Sequence, residues 1–425
     1  MTGSVAAERG GGGGGNVDGG AGRGAGRTLV ALAEVAWGYF RTRKQFLLAR
    51  LASRGWRVVY FEPLAGGRGN SWGAREQDGV TVITVPFLKT NTRQPLYNAA
   101  IGLAPVRATL EAVAAAGVSQ ALARLGVRVP DVAFLSNIYA AKALPGVGAR
   151  LVCYDFNDHP LQFAGVPAWA GGYLNQALGL ADVVLAVSPH YRRWLEPRLR
   201  VPVVTLGNGV EFRHFAEAGG AVPEALARIP RPRLGYAGKV SHFLDFAVLE
   251  RLAAHPGWQL VLLGPLPEET RGAVARLHRS PSVHALGELP YAELPRALRG
   301  LDLALIPFRA GDPYTIGINP NKLYQYWAAG LPVVASPISD VRADGKGLSY
   351  ADSPEAFEAE VARVLALGID PAGRAALAER ARNFDWDRIA GRLDGLLVAA
   401  LEARAARGRV AREDLTSFEE ETIAP

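Results

Sequence analysis

Short, nearly unbroken runs of Val, Leu, Ile and Ala alternate with longer segments of helical periodicity along most of this chain. Thr28–Val35, Trp56–Glu62, Val80–Phe87, Val132–Ser136, Leu151–Asp155, Val183–Ser188 and Val203–Leu206 read as strands. Helical stretches such as Lys44–Arg54, Leu96–Leu125 and Tyr173–Leu180 separate them. Strands without polar alternation must be covered on both faces, which requires a parallel sheet between helical layers. The series restarts after the Pro/Gly/Ala-rich stretch Ala218–Arg233 with strands at Leu234–Ala237, Gln259–Gly264, Leu303–Pro307 and Pro332–Ser336. Helices at Phe246–Ala254, Glu268–His278 and Lys322–Ala329 complete this second set. The pattern therefore predicts two doubly wound α/β halves, with a ligand-binding cleft where the carboxyl ends of their strands meet.

At 425 residues the chain has length for two such domains, and its 49% hydrophobic and 20% charged composition is that of a globular protein. One cysteine, Cys153, excludes internal disulfides and cysteine-ligated clusters, which points to a reducing, cytoplasmic setting. No apolar run has the length of a spanning helix or the form of a signal peptide. The net charge of +7 is dispersed along the sequence, so no polyanion groove and no nucleic-acid partner is expected. Only six of the 47 basic residues are lysines, which makes a lysine within a motif more informative than an arginine. Residues 1–27, rich in glycine, and 405–425, basic and then acidic, read as tails.

The most specific stretch runs Asn319-Pro320-Asn321-Lys322-Leu323-Tyr324-Gln325-Tyr326-Trp327-Ala328-Ala329-Gly330-Leu331-Pro332-Val333-Val334. Asn and Pro close a loop, Lys322 enters the first helical turn, Gly330 stops the helix and a buried strand follows. A helix start at the carboxyl end of a sheet offers free N–H groups to an anion. This run resembles the nucleotide-sugar signature of the family 4 glycosyltransferases, retaining enzymes of GT-B fold. Several further segments fit in the same order: Gly207-Asn208-Gly209-Val210-Glu211, Gly235-Tyr236-Ala237-Gly238-Lys239, Asp302 to Phe308, and Phe384-Asp385-Trp386-Asp387. Tyr154-Asp155-Phe156-Asn157-Asp158 is similar to a segment of members that build cell-surface polysaccharides.

The resemblance implies an acceptor domain over 28–207, a nucleotide-sugar domain over 208–384, and a helix over 385–404 crossing back to the first domain. It implies transfer of a sugar from a UDP- or GDP-sugar to a hydroxyl of a polysaccharide or glycolipid precursor, with retention. Donor contacts are expected from Gly38, Gly238, Lys239, Asn319, Lys322, Leu323 and Gln325, the two lysines holding the diphosphate. Asp155, Asp158 and His159, just beyond a buried strand, are candidates to orient the acceptor or touch the donor sugar, with Lys239 assisting catalysis. Asp385-Trp386-Asp387 reads as a helix cap, so no metal or other cofactor is expected. The apolar segment Leu96–Leu125, with Arg93, Arg107 and Arg124 around it, suggests peripheral contact with the inner membrane face and a lipid-linked acceptor. One departure stands out. The two glutamates typical of the family align with Gly317 and Gln325. That substitution supports a non-catalytic nucleotide-sugar-binding protein as an alternative; a GT-B nucleotide-sugar epimerase, which would need acidic residues on both faces of the sugar in place of an acceptor site, is another.

Overall fold

The computed structural model describes residues 24, 26–38, 41–64, 73–90, 92, 94–338, 341 and 343–418. The first sheet contains β1 (Thr28–Leu32), β2 (Arg57–Pro63), β3 (Arg75–Gln77), β4 (Val80–Val85), β5 (Val132–Leu135), β6 (Leu151–Phe156), β7 (Val183–Ala186) and β8 (Val203–Thr205). Their order is β3-β4-β2-β1-β5-β6-β7-β8, parallel except for the edge strand β3. The second sheet contains β9 (Arg233–Ala237), β10 (Gln259–Leu263), β11 (Val283–Gly287), β12 (Leu303–Ile306), β13 (Val333–Ala335) and β14 (Leu348–Tyr350). Its order is β11-β10-β9-β12-β13-β14, with every pairing parallel.

Apolar clusters cover both faces of the first sheet and enclose the second, as the unbroken Val/Leu runs require. The long helix Trp386–Arg407 belongs to the first domain's core: Trp386, Ile389, Leu393 and Leu397 are buried there, and Trp386 stacks on Phe46 at 5.2 Å. Asp385 caps this helix, accepting from the Asp387 N–H at 2.7 Å and from the Phe212 N–H at 3.1 Å. The crossing is stitched by two backbone hydrogen bonds, Val210 N–H to the Phe384 carbonyl and Trp386 N–H to the Val210 carbonyl.

Three expectations are revised. Leu96–Leu125 is two helices, Pro95–Ala100 and Ala104–Arg124, separated at Ile101–Leu103, where Gly102 and the following Pro105 favour a break. At the C-terminus, the helix continues to Arg407 and the turn Arg412–Phe418 buries Leu415, so residues 405–418 pack on the first domain rather than trail from it. At the other end Gly24 is already fixed, its N–H donating to Asp394 at 2.8 Å, and a Cβ there would collide with Trp56. Gly26 and Arg27 are tied to Gly55 and Arg57 by backbone hydrogen bonds, and residues 1–23, 25 and 419–425 lie outside the described residues.

The two domains meet around one buried cation. Arg43, 2% exposed, forks its Nε–H across both oxygens of Asp155 at 3.0 and 3.1 Å. Its Nη1 donates to the Gly207 carbonyl at 2.7 Å and Asn208 Oδ1 at 3.3 Å, gripping the interdomain linker. Asn208 passes the contact on, its N–H donating to Asn319 Oδ1 at 3.0 Å and its side-chain amide to the Asn319 carbonyl at 2.7 Å. An Arg43→Met variant strands the Asp155 charge in the interior and is expected to lose about 3–5 kcal/mol of stability in urea unfolding. A loss below about 1 kcal/mol would show that the pair carries little.

Candidate functional site: a two-cavity cleft

The turn after β9 is built from glycine for steric reasons. Gly238 has φ +141°, and a Cβ there would lie 3.3 Å from Lys322 Cε and 3.5 Å from Nζ. Gly264 at the end of β10, with φ +138°, lies so close that its own Cβ would meet the Gly238 carbonyl at 2.3 Å. These two turns leave room at the strand ends for a cavity of about 350 Å³. Its walls include Tyr236, Lys239, His242, Phe243, Phe308, Tyr314 and Asn319, together with Asn208 from the linker and Asn157 and Asp158 from the first domain.

The helix Asn321–Ala328 opens on this cavity through Pro320, Asn321 and Lys322, and its N-cap, Pro320, has no side chain to accept from the free N–H groups. The Lys322 ammonium lies 5.2 Å from the Tyr236 ring centroid and 5.0 Å from that of Phe308. No carboxylate pairs with it among the described residues. Burial therefore lowers its pKa to about 8. Lys239 stands at the rim, 60% exposed, 3.4 Å from Glu269. An exposed pair of this kind is worth at most about 1 kcal/mol and does not fix the ammonium.

A second cavity of about 460 Å³ lies at the carboxyl edge of the first sheet, walled by Glu34, Thr42, Lys44, Ser136, Asn137, Tyr139, Tyr154 and Phe163 among others. Asn157 and Asp158 border both cavities. Asn157 Nδ2 donates to Asp158 Oδ2 at 2.7 Å, and the Tyr314 hydroxyl reaches Asp158 Oδ1 from the second domain at 3.4 Å. Phe163 and Phe243 flank the Tyr314 ring at centroid distances of 5.2 and 4.2 Å, one from each domain. Burial raises the Asp158 pKa, with Lys44 opposing and Glu34 and Asp155 adding to the shift. Lys44 forms an ion pair with Glu34. Burial alone would lower its pKa, but the Glu34, Asp155 and Asp158 carboxylates together raise it, so it stays cationic.

The cleft thus gathers Asn319, Lys322, Lys239 and Asp158, with Gly238 shaping the turn beneath. Five expected site residues are engaged otherwise or fall elsewhere. Asp155 borders the second cavity, but both of its oxygens are committed to Arg43. His159 is packed against the Phe156, Tyr191 and Trp194 rings, and burial lowers its pKa, so it belongs to the first domain's interior. Leu323 is fully buried core, and Gln325 lies on neither cavity wall. Gly38 has open space around its Cβ position and borders neither cavity. Glu34, Lys44, Asn157, Tyr314 and His242 were not expected. Of these, Asn157 lies within the Tyr154–Asp158 segment and offered the one available signal.

The position where the family carries its first glutamate is explained by packing. A Cβ on Gly317 would fall 2.3 Å from the Tyr191 ring, and the Gly317 carbonyl accepts from Ser188 Oγ at 2.6 Å across the domain boundary. The aromatic ring fills the space a side chain would need. Gly317→Ala is therefore expected to cost about 1–3 kcal/mol through overpacking, read as a lowered denaturation midpoint. An unchanged midpoint would show that the Tyr191 ring yields freely.

Residues 231–366 match the family described as glycosyl transferases group 1. TuaH of Bacillus subtilis, named as a teichuronic acid biosynthesis glycosyltransferase, is 28% identical over 219 residues, 49% of this chain and 54% of its own. A phosphatidyl-myo-inositol mannosyltransferase of Mycolicibacterium smegmatis is 28% identical over 225 residues, 49% of this chain and 55% of its own. The chain spans about half the length of these curated relatives. Among solved structures, sucrose-phosphate synthase of Thermosynechococcus elongatus superposes with a TM-score of 0.65 at 17% identity, over 87% of this chain and 98% of that one. Anabaena HepE, solved in complex with UDP and glucose, gives 0.60 at 17% identity over 87% and 99%. With two sheet domains facing one cleft and the signature helix opening on it, the chain has the GT-B fold of these structures, and its segment 231–366 matches the group 1 glycosyl transferases.

Proposed function

We propose that this protein moves a sugar from a nucleotide-sugar donor, UDP- or GDP-linked, to a hydroxyl of a polysaccharide or glycolipid precursor, with retention and without a metal. The observation that carries this reading is Lys322: a partly buried ammonium set between two aromatic rings, with no carboxylate partner among the described residues, at an uncapped helix start. A diphosphate supplies the missing counter-charge. As the bond from the sugar to the diphosphate breaks, negative charge grows on the leaving oxygen, and Lys322, the helix N–H groups and Lys239 stabilise it. Asp158, on the wall shared with the second cavity, receives the acceptor hydroxyl. Relatives named for teichuronic acid and phosphatidyl-myo-inositol chemistry support an envelope polymer or lipid as the acceptor's source. No helix among the described residues is long and apolar enough to cross a membrane. Exposed Leu96, Leu103 and Val113 support peripheral contact with the membrane surface on the side of the first domain.

Thermal stabilisation by UDP-, GDP-, ADP- and TDP-sugars, with and without EDTA, tests the reading. One nucleotide class is expected to raise the melting temperature by roughly a few degrees at saturation, unaffected by EDTA. Product analysis then separates transfer from epimerisation, and the anomeric configuration of the product reports retention. No stabilisation by any nucleotide sugar would overturn the proposal.

A further inference from the structure

The second cavity constrains the chemistry of its occupant more tightly than the fold does. Each charge on its wall is accounted for. Glu34 is paired with Lys44, and Asp155 with Arg43 behind the wall. Among the described residues Asp158 has only neutral neighbours within bonding range, the Asn157 amide and the Tyr314 hydroxyl. Among the described residues the wall therefore carries two ion-paired carboxylates, Glu34 with Lys44 and Asp155 with Arg43, and one carboxylate, Asp158, that has no cation bonded to it.

An independent observation concerns hydrogen bonding. Asn157 Oδ1 is buried and accepts no hydrogen bond from any described residue, although the residue borders both cavities. A buried acceptor left unpaired costs about 1–3 kcal/mol, so this atom favours a ligand that brings an O–H or N–H. Tyr139, Tyr154 and Phe163 supply apolar ring surface around it. The volume of about 460 Å³ lies within the range of small-molecule sites.

We infer that the group seated in this cavity is an uncharged, hydroxyl-bearing sugar ring, and that uronic acids and phosphorylated sugars are excluded from it. The inference rests on the transferase reading and narrows its acceptor. An anionic ring would meet the Asp158 carboxylate at close range, with Lys44 already held by Glu34. Like charges brought together in this way are costly. A neutral ring instead donates a hydroxyl to Asn157 Oδ1 and another to Asp158, while Asn157 Nδ2 holds Asp158 in place.

Matched probes test this directly. The 4-nitrophenyl glycosides of glucose, galactose and mannose are compared with 4-nitrophenyl glucuronide by saturation-transfer NMR, in the presence of whichever nucleotide stabilises the protein. At least one neutral glycoside is expected to bind about tenfold more tightly than the glucuronide. Glu34, whose side chain is 40% exposed, tolerates replacement. Glu34→Gln releases the Lys44 ammonium and is expected to bring glucuronide affinity up about tenfold while neutral glycosides change less than about threefold. Equal binding of charged and neutral probes, preference for the glucuronide, or a glucuronide affinity unmoved by Glu34→Gln would each overturn the inference. Binding of no glycoside while nucleotide still stabilises the protein would overturn it and leave the donor reading intact. Failure of the nucleotide itself would remove both.

Discussion

Lys322→Met is expected to weaken nucleotide-sugar binding by at least about a hundredfold in calorimetric titration, while leaving the protein as stable as before or more so. The expectation follows from a charge placed where folding alone does not reward it. Methionine keeps the apolar stem against Tyr236 and Phe308 and removes only the ammonium. The folded chain releases the Lys322 proton near pH 8, below the usual 10.5. Between these values the unfolded chain binds the proton and the folded chain does not, so stability rises with pH across that window. Below pH 8 the full cost of the buried charge is present, on the order of 3 kcal/mol. A diphosphate beside the ammonium reverses this balance. Donor affinity is accordingly expected to be flat below about pH 8 and to fall above it as the free protein loses the proton it must regain on binding. A variant that binds donor normally, or a wild-type affinity independent of pH through 8 to 10, would show that Lys322 does not hold the phosphates.

That lysine was legible in the sequence because everything that places it is local: a proline before the helix, a glycine after it, and a buried strand following at once. The two sheets were legible for a similar reason, since a strand covered on both faces leaves its mark in consecutive residues. The second cavity was not. Glu34 follows β1, Lys44 begins a helix and Asp158 follows β6, and only the parallel order β1-β5-β6 brings these strand ends together. Nor does the chain announce that Arg43, and not its neighbour Lys44, takes Asp155, because adjacent helical residues point in different directions. Asp155 and His159 were singled out for chemistry on their position past a strand end. Asp158, singled out with them, and the unexpected Asn157 face the cleft; both lie in the loop past β6, where the period-2 rule of a strand no longer says which side a residue takes. Gly317 shows the converse. The sequence shows only a missing carboxylate in the motif, and the structure adds that the Tyr191 ring occupies the space a side chain would need.

Asp158→Asn carries the second large effect: a fall in kcat of about 10²–10⁴-fold, with donor affinity changed by less than about threefold. Asparagine preserves size and can still meet the Asn157 amide and the Tyr314 hydroxyl, so the loss isolates the carboxylate. The position at the border of both cavities gives Asp158 access to an acceptor oxygen and to a donor sugar from one place. Burial, followed by the neighbouring Glu34 and Asp155 charges, makes ionisation harder than for an ordinary aspartate, against the pull of Lys44. The folded state thus holds this proton to higher pH than the unfolded chain, and the ionised form costs stability once pH exceeds both values. Neutralisation by asparagine should then leave the melting temperature at pH 7 unchanged or raised, which separates a catalytic loss from misfolding. In the wild type, the acid limb of the kcat profile is expected above the usual aspartate range, because the carboxylate is the form that receives the acceptor hydroxyl's proton. The variant should lose that limb. If activity persists in Asp158→Asn with its acid limb in place, the proton goes elsewhere, and the shared wall only separates the two substrates.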